Sequence, residues 1–427
     1  MFSSCTPWGT DPLGFLVLSV LPPAEVNARV LLSVAVVLAG SHLVGWAIAK
    51  IGQPRVIGEI LAGILLGPSL LGAVWPGALD YLFPAEVIGA LRTLAQVGLV
   101  LFMFLVGVEL DLDRLVGQGR KALVISQTSI AAPLGLGVLL SWWLYPRFGG
   151  QVDQLGFTLF LGAAMAITAF PVLARVLQET GLTNTRIGVL AITCAAIDDI
   201  TAWCVLAGVV AIVESSGLGD MLRTIALSVA FVGLLGLVVR PVLRRVRVLP
   251  VWLAICLAMV GAWATEQIGI HAIFGAFMVG AMVPRRPETR LVVQEQVQHI
   301  AVTLLLPVFF VVIGLSTRID TIDSLYLWGV TAIVVLTAVV GKLGGCLIAA
   351  RLLGEPWREA AALGVLMNTR GLTELVILTV GLELGVISST LFTIMVVMAL
   401  VTTLVATPLL SVIAPHHRPL DPASGSD

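Results

Sequence analysis

Charge is scarce in this chain. Asp, Glu, Lys and Arg make up 11% of its 427 residues, whereas 58% are hydrophobic and the mean hydropathy is +1.05. A soluble globular domain carries roughly a quarter of its residues as charges, so a soluble fold is excluded. Cysteine and histidine are also few. Cys5, Cys194, Cys204, Cys256 and Cys346 are scattered, as are His42, His271, His299, His416 and His417. Neither set has the paired spacing of a metal site or a disulfide framework. No hydrolase triad, phosphate-cradling loop or nucleotide fingerprint is visible, and Gly-x-Gly patterns arise by chance among 43 glycines. The formal net charge is −1. The chain therefore reads as no enzyme, with no cofactor and no nucleic-acid partner.

Long apolar runs are what it has. Stretches of about 20 residues, the length that crosses some 30 Å of hydrocarbon, recur along the whole sequence. They predict an all-α polytopic membrane protein in contact with lipid. Thirteen spans are expected, near 28–49, 56–73, 90–109, 121–144, 155–177, 186–213, 220–239, 249–267, 270–284, 298–316, 325–350, 358–383 and 387–413. The apolar stretch Leu13–Val20 is too short to span, and no basic segment precedes it. Neither a signal peptide nor a helix is expected there.

The basic residues orient the array. With the amino terminus outside, 17 of the 24 Lys and Arg fall in one set of loops and 5 in the other, leaving Lys342 and Arg370 within spans. Positive loops stay cytoplasmic, so the amino terminus is expected outside and the tail inside.

Two spans are interrupted alike. The fifth holds Thr168, Phe170 and Pro171; the twelfth holds Asn368, Thr369, Arg370, Gly371 and Glu374. Backbone groups freed by such breaks survive in a membrane only when buried in protein or lining a cavity. The breaks lie seven spans apart, so their helices run oppositely, as an inverted repeat of spans 1 to 6 against 8 to 13 requires.

Three further features carry charge into the bilayer. Asp198 and Asp199 stand side by side near the middle of the sixth span. An ionisable residue at that depth costs about 2.5 kcal/mol or more, which marks an ion or proton site. Lys342 lies deep in the eleventh span, and one of the two aspartates is its expected partner; a snorkel toward the cytoplasmic interface is the alternative. Arg370 and Glu374, i,i+4 on one helix, are expected to satisfy each other as a structural pair.

Six motifs in order then bear a resemblance. Gln53 to Ser69 (QPRVIGEILAGILLGPS), Phe104 to Asp111 (FLVGVELD), Thr168 to Arg175 (TAFPVLAR), Ile197 to Asp199 (IDD), Leu306 to Phe310 (LPVFF) and Met367 to Glu374 (MNTRGLTE) resemble the second monovalent cation:proton antiporter family. That family includes Kef-like and sodium/hydrogen exchanger members and the plant cation/H+ exchangers. The resemblance implies an NhaA-type fold with inverted repeats and two crossing discontinuous helices. Its expected units are an external segment 1–27, scaffold and dimerisation helices 28–112 and 249–316, core helices 119–213 and 320–413, a linker helix 214–248, and a cytoplasmic tail 414–427. It also implies a homodimer in a bacterial inner membrane.

The implied activity is exchange of Na+ or K+ for H+ by alternating access. The family's ion-binding aspartate falls on Asp199, its neighbour on Asp198, and the lysine of electrogenic members on Lys342. The crossing motif falls on Thr168 to Pro171 and Asn368 to Arg370, with Thr168 and Asn368 supplying neutral oxygens or holding the unwound backbone. Many Kef-type members carry a cytoplasmic regulatory domain, for which this sequence shows no counterpart after Ala414, so gating by glutathione or nucleotides is not expected. Export of a small organic cation, and a non-transporting cation sensor, are the alternative readings.

Overall fold

The computed structural model describes residues 22–53, 55–109, 119–149, 151–183, 185–214, 218–246, 249–284 and 295–413. Most of the expected external segment and all of the tail 414–427 lie outside these residues. So do Pro54, Leu110 and Asp111 of the motifs, and Arg114, Arg247, Arg285, Arg286, Arg290 and Arg418 of the orienting charges.

Every expected span is met by helix. In chain order these are α1 (Pro23–Lys50), α2 (Arg55–Leu66), α3 (Ala85–Glu109), α4 (Gly119–Phe148), α5 (Gln154–Ala166), α6 (Phe170–Glu179), α7 (Arg186–Glu214) and α8 (Leu218–Leu234). There follow α9 (Val251–Ile268), α10 (Ala272–Met282), α11 (Leu306–Ser316), α12 (Leu325–Val339), α13 (Gly345–Leu352), α14 (Trp357–Met367), α15 (Leu372–Glu383) and α16 (Ser389–Ile413). Ten helical stretches are long and apolar enough to cross a membrane among the described residues. The three remaining expected spans are the short α10 and the two interrupted pairs, α5 with α6 and α14 with α15.

Local chemistry sets the boundaries. Asp153 caps α5 by accepting the Gly156 amide at 2.9 Å, and Ser324 caps α12 through the Leu327 amide. Gly269 ends α9 in the left-handed conformation, φ 90°, that glycine adopts without strain. The second expected span, 56–73, is not one continuous helix. Its helix stops at Leu66 and resumes as a short turn at Leu71–Val74, because Gly67 and Pro68 interrupt the ladder. Between α12 and α13, residues Val340–Gly344 form a π-helical turn centred on Lys342.

Packing separates the helices into two groups. In one, α1, α2, α3, α9, α10 and α11 contact one another; in the other, α4, α5, α6, α7 and α12 to α16 do. α8 touches both α7 and α9. Small residues set the closest approaches, as is usual between membrane helices. A methyl group on Gly275 of α10 would overlap the Gly261 carbonyl of α9, and one on Gly107 of α3 would overlap the Phe277 carbonyl of α10.

The second group is also tied by charge at one end. Glu355, 2% exposed, accepts hydrogen bonds from Lys121 at 3.2 Å and Arg186 at 2.8 Å, and its carbonyl accepts from Arg351 at 2.9 Å. One buried carboxylate thus joins α4, α7 and the turn after α13.

Substituting Gly275→Leu should force α9 and α10 apart and cost about 1–3 kcal/mol. The loss would appear as a lowered unfolding temperature in detergent. Gly233→Leu, where nothing lies within 4 Å of the added carbon, should leave that temperature unchanged.

Candidate functional site

The two interruptions meet. Ile167–Ala169 between α5 and α6, and Asn368–Gly371 between α14 and α15, leave the helical path. The Ala169 amide donates to the Thr369 carbonyl at 3.1 Å, and the Thr168 hydroxyl donates to the Met367 carbonyl at 3.2 Å. Gly371 lies against Val172 of α6 with no room for a β-carbon. Pro171 stands in the first turn of α6, where a missing N–H leaves no helical bond unmade. Phe170, half-buried, opens that helix.

Crossing half-helices bring four unsatisfied ends into the protein interior. The carbonyl end of α5 is met by two cations. Arg370 donates to the Ala164 carbonyl at 3.3 Å and the Met165 carbonyl at 2.7 Å, and Lys342 donates to the Ala166 carbonyl. Positive charge at a helix carboxyl end is the favourable sign. The carbonyl end of α14 has neutral partners instead: the Thr369 hydroxyl donates to Leu366 and that of Thr168 to Met367.

Arg370 is part of the break rather than of the helix that carries Glu374, which corrects the expected helical i,i+4 placement. The pair still forms, at 2.9 Å, because Glu374 lies in the first turn of α15. Thr403 of α16 fixes the Arg370 backbone from both sides, accepting its amide at 3.0 Å and donating to its carbonyl at 2.6 Å.

Asp198 and Asp199 have different surroundings because adjacent helical residues point about 100° apart. Asp198 is fully buried and crowded with donors. Lys342 reaches it at 2.9 Å, Ser129 at 2.8 Å and Thr168 at 2.8 Å, and Ser126 donates to its other oxygen. Of the two carboxylates considered as partners for Lys342, the structure selects Asp198, and Lys342 is itself fully buried rather than snorkelled. Asp199 is 4% exposed, has the Phe170 backbone as a hydrogen-bond partner, and leaves Oδ1 buried with no partner. The Asn368 Oδ1 atom, on the α14 side of the crossing, is buried and unpartnered too. α7 packs against both α6 and α14. Among the described residues no cluster of three or more His, Cys, Asp or Glu is placed to hold a metal ion. The site thus presents two buried oxygens without partners, Asp199 Oδ1 and Asn368 Oδ1.

Ser126, Ser129, Thr403 and Glu355 were not foreseen. The only sequence signal for the first two is their i,i+3 spacing on an apolar helix.

Residues 35–415 match the transmembrane sodium/hydrogen exchanger family. The chain belongs to that family. It is 41% identical to the Na(+)/H(+) antiporter NhaS4 of Synechocystis sp., an alignment covering 91% of this chain and 98% of the relative. It is 38% identical to Cation/H(+) antiporter 19 of Arabidopsis thaliana, over 90% of this chain and 49% of the relative. With the K(+)/H(+) antiporter 1 of Saccharomyces cerevisiae it shares 33% identity over 90% of this chain and 46% of the relative. The chain thus spans about half the length of the plant and yeast relatives. A solved structure, the sodium proton antiporter MjNhaP1 from Methanocaldococcus jannaschii, superposes with TM-score 0.67 at 15% identity, covering 91% of this chain and 99% of that one. That likeness concerns the fold, and it places this exchanger in the NhaA-type class, as the motifs implied.

Removing one partner of a buried ion pair strands the other and costs about 3–5 kcal/mol, whereas replacing both by apolar groups is often neutral. Asp198→Leu and Lys342→Met should each destabilise by that amount in denaturant unfolding in detergent. The double variant should recover most of the loss; single and double variants of additive cost would mean that the pair is not coupled.

Proposed function

We propose that this multi-pass membrane protein exchanges a monovalent cation, Na+ or K+, for protons, with Asp199 as the carrier carboxylate. The observation that carries this reading is the buried, unpartnered Oδ1 of Asp199 beside an Asp198 whose oxygens are already taken. A carboxylate oxygen at that depth needs either a proton or a cation. The two compete for one position, which couples their fluxes. Asn368 is the neutral oxygen nearest in role, and the carbonyl end of α14, which carries no cation, is the half-helix end that favours positive charge. Thr168, Phe170, Pro171 and Thr369 hold the crossing, and Arg370 with Glu374 neutralises the α5 end.

Asp198 and Lys342 are assigned to coupling. A lysine released from Asp198 during transport would supply a second titrating group and make exchange electrogenic. The packing into two helix groups supports a core of α4 to α7 and α12 to α16 moving past a scaffold of α1 to α3 and α9 to α11, with α8 as linker. Cation and proton are substrates, no cofactor is assigned, and chemistry on a bound molecule forms no part of the reading. The remaining assignments are a homodimer through the scaffold, an inner bacterial membrane, the amino terminus outside and the tail inside.

Proteoliposomes bearing a pH gradient and a fluorescent pH dye test this. Addition of an alkali cation should dequench the dye with the native chain and leave it quenched with Asp199→Asn, at least 100-fold slower by the order of magnitude expected for a lost essential proton carrier. Dequenching that persists in the folded variant removes Asp199 from the mechanism. Asp198→Asn should retain exchange and weaken its response to an imposed membrane potential.

A further inference from the structure

One buried carboxylate at an end of the core group holds three cations in place. Glu355, in the turn between α13 and α14, receives Lys121 from the first turn of α4 at 3.2 Å and Arg186, the first residue of α7, at 2.8 Å. Its carbonyl receives Arg351 of α13 at 2.9 Å. The Arg351 guanidinium also lies 5.1 Å from the ring centre of Trp357, the first residue of α14. A single cation neutralises a single carboxylate. Here two more are fixed beside it.

The surplus faces outward. Lys121 and Arg186 are more than half exposed, although both are anchored to a residue that is buried. Arg186 engages both Glu355 oxygens with one nitrogen, Nη2, and Arg351 engages the carbonyl with Nη1. Nε and Nη1 of Arg186, and Nε and Nη2 of Arg351, donate to nothing among the described residues. An arginine fixed along one edge keeps its planar fork for a phosphate oxygen on the other, at little further cost in side-chain freedom. The charge balance points the same way. Among the described residues in the first turns of α4, α7 and α14 and along α13 with the turn behind it, Arg120 and Arg358 bring the basic side chains to five, against Glu355 and Glu359.

Apolar surface begins beside the cluster. Leu352, next to Arg351, is 82% exposed, Trp357 is 64% exposed, and Leu123 is exposed two residues after Lys121. In a multi-pass membrane protein, exposed aliphatic side chains mark the hydrocarbon, exposed basic ones the headgroup layer, and tryptophan the border between them. The cluster therefore stands at headgroup depth, where the abundant anion is a lipid phosphate. We propose that Lys121, Arg186 and Arg351 bind the headgroup phosphate of an anionic phospholipid, with Trp357 against its glycerol and upper acyl chain. Basic pockets between membrane helices take such headgroups. The lipid joins α4, α7 and the turn after α13 from outside, as Glu355 joins them from inside. The site lies in the core group and shares no residue with the ion site.

The test uses the full chain in phosphatidylcholine vesicles containing a small fraction of phosphatidylglycerol or phosphatidylcholine brominated on the acyl chain. The part of the tryptophan fluorescence that Trp357→Phe removes reports the lipid beside this residue. Brominated phosphatidylglycerol should quench that part at a mole fraction about tenfold lower than brominated phosphatidylcholine, or lower still. Arg186→Gln and Arg351→Gln should each raise the fraction needed about fivefold, the effect of one basic residue at an anionic surface. Arg351→Gln leaves both ion pairs of Glu355 in place, which guards against misfolding of the Arg186 variant. Arg223→Gln, which alters a basic residue exposed on α8, should change nothing. Equal quenching by the two lipids in the native chain, or a preference unchanged in the folded arginine variants, overturns the site. So does displacement of the brominated phosphatidylglycerol by free glycerol phosphate at matched ionic strength, which would make the cluster a site for a soluble anion.

Discussion

The buried ion pair between Asp198 and Lys342 is what the rest of the site is built around. One carboxylate collects Ser126 and Ser129 from α4, Thr168 from the first break and Lys342 from the π turn, while the same lysine closes the carbonyl end of α5. Four segments distant in sequence are positioned by a single charge. The arrangement is possible because both oxygens of that carboxylate find donors, Ser126 on one and Ser129, Thr168 and Lys342 on the other; a buried charge left half satisfied is a liability rather than a support. Its completeness is also what makes the unpartnered Asp199 oxygen conspicuous.

The two breaks solve the same backbone problem by different means. At α5 the exposed carbonyls receive a guanidinium and an ammonium; at α14 they receive hydroxyls. An inverted repeat supplies two similar half-helix ends, and side chains then make them unequal. One end is covered by a guanidinium and an ammonium, and the other keeps its negative potential for use. In the proposed exchange this inequality decides which side of the crossing receives the cation.

Much of this is legible in the sequence. Pro171 and Gly371 marked the interruptions, their seven-span separation gave opposite directions, and paired aspartates in an apolar run announced the site. What was not legible has a common cause. Hydroxyls in membrane helices mostly bond their own preceding turn, as Thr128 does to Val124, Thr193 to Val189 and Thr402 to Met398. Nothing in the sequence separates those from Ser126, Ser129 and Thr403, which reach across to other segments. Glu355 was hidden for a related reason, since a carboxylate in a loop reads as solvated until Lys121 and Arg186 are seen to converge on it. The stop of α2 at Leu66 shows the converse: Gly67-Pro68 was visible, but an apolar run of ordinary length overrode it.

The π turn at Val340–Gly344 adds one residue to a helix that otherwise keeps its 3.6-residue winding. The wider turn takes up the extra residue, so the helix on either side keeps the facing it would have without it, and the bulge alone sets where Lys342 stands toward Asp198. Gly341 is pressed against Pro133 of α4 with no room for a β-carbon, whereas nothing lies near Gly344. Side chains on this stretch are constrained where it meets α4, at Gly341 and Gly345, and at Lys342, which the turn presents to Asp198.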